Sequence, residues 1–174
     1  MKRFLLAVAF GLLSAAICFA GDSVPSGFLP MSKLAEAQAK AKQTKKFVAI
    51  TVHGFDDQCP YTADAFSKGT TALRSSCVMV YVRVKDLRAS ESSLPAALKT
   101  PAQTTADGAN VAFYVYDPDM GKLITSVDRG KIQHDPQSLT ETKKQISEAR
   151  KQIAGSSATS GLDELDALKK HTSP

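Results

Sequence analysis

The chain has 174 residues, enough for one domain with peripheral segments, and its 43% hydrophobic and 22% charged residues support an ordinary globular core. Its formal net charge is +5. Two of those charges, Lys2 and Arg3, sit at the extreme N-terminus, and the remaining excess is small, scattered and without interleaved aromatics, which argues against a nucleic-acid partner.

Residues 1–20 read as an export signal. Met1-Lys2-Arg3 is basic, Phe4 to Ile17 is apolar, and Cys18-Phe19-Ala20 offers small residues at the −3 and −1 positions of a cleavage site. A retained anchor is the alternative, because the apolar run approaches spanning length. Acylation of Cys18 is opposed by Ile17, where a small residue is wanted. Cleavage after Ala20 leaves no stable membrane anchor. It places a chain with two cysteines, Cys59 and Cys77, in a periplasmic or secreted setting that permits disulfides.

Gly21 to about Met31 is rich in Gly, Ser and Pro and reads as a flexible lead-in. Ser32 is expected to cap an Ala-rich helix from Lys33 to Lys45, whose thin stripe Leu34, Ala37, Ala41 suits a peripheral position. Phe47–Val52 is nearly all apolar and reads as a strand covered on both faces. The loop His53-Gly54-Phe55-Asp56-Asp57-Gln58 leads to Cys59 and to a helix from Pro60 to Leu73. Pro is favoured at the first helical position, and Thr62, Phe66, Gly69 and Leu73 mark the buried face. Cys77–Val84 is a β-branched strand, parallel to the first by right-handed crossover.

Residues 86–110 are polar and interrupted by Pro95 and Pro101, predicting one short helix around Leu94–Leu98 within a long loop. Val111–Tyr116 and Lys122–Val127 are strands joined by Asp117-Pro118-Asp119-Met120-Gly121, which is turn chemistry. Leu139, Thr142, Ile146, Ala149 and Ile153 mark an amphipathic helix. A Ser/Gly linker, 155–161, and a short helix, 162–170, complete the chain outside a domain of 32–154.

The Phe47–Val52 strand, Cys59-Pro60-Tyr61-Thr62 after it, the hairpin from Val111 to Val127 and Gly130 beyond it resemble the thioredoxin-like superfamily over Ser32 to Ile153. The resemblance implies an α/β fold, a thioredoxin-like three-layer sandwich with a central mixed sheet. It puts Cys59 at the nucleophilic position of C-x-x-C. Two departures stand out. Thr62 occupies the place of the second cysteine, and Asn110 and Val111 occupy the place of the family's proline.

A thiol at a helix N-terminus is favoured as thiolate by the unpaired backbone N–H groups, and the Thr62 hydroxyl is placed to donate to it, while Asp56 and Asp57 oppose ionisation. His53, at the functional edge of the sheet, is a further candidate to stabilise the sulfur, or else a solvated loop residue. A lone thiol supports monothiol exchange with a cysteine-containing exported protein, not dithiol turnover. The alternative is an inactive module that binds a peptide or protein partner. Phe55, Pro60, Tyr61 and Val111 are the candidate contacts for either, and whether the chain is an enzyme stays open.

Cys77 reads as a packed core thiol, too far along the helix to pair with Cys59. His134 and His171 lack ligand spacing, so no metal site is expected. Asp117, Asp119 and Gly121 superficially resemble a calcium loop but lack its downstream Glu. No phosphate loop or other cofactor motif is present.

Overall fold

A nearly all-apolar run requires cover on both faces, and the strand beginning at Phe47 has it: all seven residues from Phe47 to His53 are buried. The computed structural model describes residues 24–54, 59–89, 94, 96–104 and 111–153. Five strands form one mixed sheet: β1 (Leu29–Pro30), β2 (Phe47–His53), β3 (Cys77–Arg83), β4 (Val111–Tyr116) and β5 (Leu123–Asp128), in the order β1-β3-β2-β4-β5. β1 and β2 both run parallel to β3, the latter from Phe47↔Cys77 to His53↔Arg83. β4 runs antiparallel to β2 and to β5.

Alternation along the strands divides the core into two layers. Val48, Ile50 and Val52 of β2 join Val78, Val80 and Val82 of β3 on one face. That face is covered by Ala37 and Ala41 of α1 (Leu34–Thr44), Leu87 of α3 (Val84–Ala89) and Leu98 of α4 (Ala96–Thr104). Phe47, Ala49, Cys77 and Met79 turn the other way. Over them lie Ala65 and Leu73 of α2 (Pro60–Leu73), Ile132 of α5 (Arg129–His134), and Ile146 and Ala149 of α6 (residues 138–153). The fold is thus an α/β, thioredoxin-like three-layer sandwich with a central mixed sheet.

Gly69 sets the distance between α2 and the sheet. A Cβ there would meet Cε2 of Phe113 at 2.2 Å, and Phe113 is fully buried on β4. The contact explains a glycine in mid-helix, where it costs about 1 kcal/mol against Ala.

Several local expectations change. Ser32 caps nothing: it lies in a 3-10 turn, Met31–Lys33, and α1 starts at Leu34 with no side-chain cap. The 21–31 lead-in supplies β1, the buried Met31, and Phe28, which stacks on Phe66 of α2. β2 runs one residue further than the apolar run, so His53 belongs to the strand. Val84 leaves β3 and opens α3, a helix hidden by the polar run that follows it.

Pro101 does not break the chain there but sits inside α4. Proline has no N–H for the carbonyl four residues earlier, here Ala97. The Tyr116 hydroxyl, reaching across from β4, donates to that carbonyl. The hairpin turn is organised by Asp117, whose Oδ1 accepts from the Gly121 and Lys122 amides at 2.8 and 3.1 Å. Those bonds account for the carboxylate that superficially resembled a calcium ligand. The helix 138–153 follows the expected stripe, with Thr142, Ile146 and Ala149 buried but Ile153 exposed. The 155–170 expectations lie outside the described residues.

Candidate functional site

The sheet's β2 strand hands over to α2 at Cys59. Cys59 is extended, with φ −70° and ψ 116°, and is the N-cap of a 14-residue helix with Pro60 at its first position. Its carbonyl accepts from the Thr62 and Ala63 amides at 3.0 and 3.1 Å, which fixes the residue on the helix axis. Cys59 is partly buried and forms no disulfide. Pro60 and Tyr61 beside it are exposed, Tyr61 at 69%, the most exposed large hydrophobic residue among those described.

Gln133 was not a sequence candidate. Its Nε2 donates to the Tyr61 carbonyl at 2.9 Å, tying α5 to the first turn of α2. Asp128 caps α5 by accepting from the Lys131 amide at 2.9 Å. An Asp directly after the predicted strand was the legible signal for that cap, but no helix is predicted there from the sequence.

Thr62 occupies the N3 position of α2 and is fully buried. Among the described residues its hydroxyl has no hydrogen-bond partner, so the expected donation to the Cys59 sulfur is not formed. His53 is not a solvated loop residue. It is buried at the end of β2, with its ring 5.4 Å from Phe66 and 5.8 Å from Tyr81. Phe28 closes this cluster against Phe66 and Tyr81. His53 therefore lies in the layer beneath α2, within the packing that seats the helix carrying Cys59. The alternation Phe47, Ala49, Thr51, His53 was the available signal for this inward orientation.

Val111 opens β4, pairs with His53 and is fully buried, so it offers no exposed contact. Phe55, Asp56, Asp57 and Asn110 lie outside the described residues. The structure thus brings Cys59, Pro60 and Tyr61 together on one surface, with Thr62, His53 and Val111 in the core behind it.

Cys77 belongs to the far end of the sheet. It pairs with Phe47, six residues upstream of His53 on β2. α2 separates it from Cys59 by about 21 Å at 1.5 Å per residue. Burial pushes the Cys77 thiol up to about 12 from 9.0, against the opposing charges of Arg150 and Lys46. This thiol is protonated and inert at neutral pH.

Among the described residues no group of three or more His, Cys, Asp or Glu side chains is arranged to hold a metal ion. Among them, too, no helix is long and apolar enough to cross a membrane. No family model matches the chain, and comparison with curated proteins and with solved structures gives no match.

Proposed function

We propose that this is an exported member of the thioredoxin-like superfamily in which Cys59 performs monothiol disulfide exchange with cysteine-containing exported proteins. One observation carries the reading: Cys59, itself partly buried, stands at the N-cap of a 14-residue helix, between buried support and an exposed Pro60-Tyr61 edge. Helix N-termini favour the anionic sulfur.

In the forward step the Cys59 thiolate attacks one sulfur of a partner disulfide. A mixed disulfide forms, the partner's S–S bond breaks, and the departing thiolate takes a proton from water. An external low-molecular-weight thiol then attacks the mixed disulfide, restoring the Cys59 thiolate and remaining joined to the partner. The external step is required because Thr62 replaces a nearby thiol and Cys77 is buried at the other end of the sheet.

The exposure of Tyr61 favours a second reading, in which the same edge binds a peptide without covalent chemistry. Intact-mass analysis after incubation with oxidised glutathione separates the two. Exchange predicts one adduct on the folded chain, absent in Cys59→Ser and removed by reduced glutathione. An adduct on the unfolded chain but none on the folded one leaves only the binding reading.

A further inference from the structure

The end of the sheet away from Cys59 holds a cavity of about 340 Å³ between the β1–β3 edge, α1 and the end of α2. Its walls are chemically divided. Phe28, Leu29 and Met79 give an apolar floor, and Lys40, Lys46 and Arg74 give a cationic rim. None of those three cations forms an ion pair among the described residues, whereas Lys33, Lys42 and Lys68 are paired with Glu36, Asp119 and Asp64. Three cations converging on one unneutralised concavity select an anionic group, and the apolar floor selects one that also carries hydrocarbon.

The sequence beyond α6 carries such a group. Arg150 near the end of α6 lies close enough to Cys77, which lines the cavity, to act on its thiol electrostatically. The eight residues 154–161, Ala-Gly-Ser-Ser-Ala-Thr-Ser-Gly, have linker composition and a root-mean-square reach of about 16 Å. Beyond them, Leu162-Asp163-Glu164-Leu165-Asp166-Ala167-Leu168 carries three carboxylates and three leucines in seven residues.

We propose that residues 162–168 dock in this cavity, with Asp163, Glu164 and Asp166 against Lys40, Lys46 and Arg74 and leucine side chains against Phe28 and Leu29. Tethering makes the contact intramolecular, so individually weak ion pairs act at high effective concentration. The tail then occupies the edge opposite Cys59 and leaves the thiol surface open. The inference stands apart from the exchange reading, since it uses none of the Cys59 surface.

The test compares amide ¹H–¹⁵N spectra of chain 21–174 with those of chain 21–154, which keeps α6 entire. Docking predicts shifts centred on Phe28, Leu29, Lys46 and Arg74. Asp163→Lys/Glu164→Lys/Asp166→Lys should reproduce the truncated spectrum, as should about 0.5 M salt, where charge pairs are screened. Unchanged cavity amides, shifts centred on another surface, or a triple variant that leaves the full-length spectrum intact would overturn it. Shifts that vanish on dilution would assign the cavity to a second copy's tail and overturn the intramolecular contact.

Discussion

Replacing Tyr116 by Phe tests how α4 tolerates its proline. Pro101 has no N–H for the Ala97 carbonyl, and the Tyr116 hydroxyl supplies the donor instead. Removing the hydroxyl loses a hydrogen bond worth about 1 kcal/mol and leaves a part-buried carbonyl unsatisfied, for a total of about 1–3 kcal/mol. In urea titration followed by far-ultraviolet circular dichroism, this lowers the midpoint by about 1 M at an unchanged slope. The decisive comparison is the same substitution made in a Pro101→Ala background. There the restored N–H at 101 donates to Ala97 within the helix, and Tyr116→Phe should cost less by about 1 kcal/mol. Equal costs in the two backgrounds would refute the compensation, because the hydroxyl would then be replacing nothing the proline had removed.

Gly69→Ala is expected to destabilise the fold by about 1–3 kcal/mol through overpacking against Phe113, despite the better helix propensity of Ala. Thr71→Ala on the exposed face of α2 serves as control and should be neutral or slightly stabilising in the same titration. Alkaline unfolding should follow the buried thiol. The folded chain holds the Cys77 proton up to about 12, whereas the unfolded chain releases it near 9, so stability falls as pH rises through that window. Cys77→Ala should flatten the decline when stability is measured from pH 8 to 11. Tyr116, also raised by burial, adds to the decline above its ordinary value. Thr62→Cys places a second thiol three residues from Cys59 in the first turn of α2, a separation of about 5–6 Å that a disulfide spans. Oxidation should then remove two hydrogens and block alkylation of Cys59, and two alkylatable thiols after oxidation would contradict the shared-face geometry.

The central strand and α2 were legible because their signals are local and strong. Phe47–Val52 is apolar but for Thr51, and Pro60 marks the start of a helix whose end at Leu73 matches the structure. The hairpin was equally plain, since Asp117 and Gly121 are turn residues between two β-branched runs. The failures have nonlocal causes. Pro101 reads as a breaker until a tyrosine fifteen residues away satisfies its orphaned carbonyl. Leu29–Pro30 looks like linker because a two-residue parallel strand has no pattern of its own, and only Val80 and Tyr81 of β3 define it. α3 was masked by Lys85, Asp86 and Arg88, although Val84 and Leu87 keep helical spacing toward the core. At the site, Cys59 was found from its place after a strand and before a proline. The inward face of His53 was open to reading from the strand alternation, whereas the burial of the Thr62 hydroxyl without a partner among the described residues depends on how α2 seats on the sheet, which no local pattern carries.

The most direct test of the proposed role of Cys59 is its alkylation rate at pH 7 in the folded chain, compared with the same residue in urea, on a Cys77→Ser background. A thiol built for exchange at the N-cap position of α2 should react faster when folded than when unfolded, and the advantage should disappear with the helix. A folded rate slower than the unfolded one, or no reaction at all, would make Cys59 a structural residue and leave the Tyr61 edge as a binding surface only.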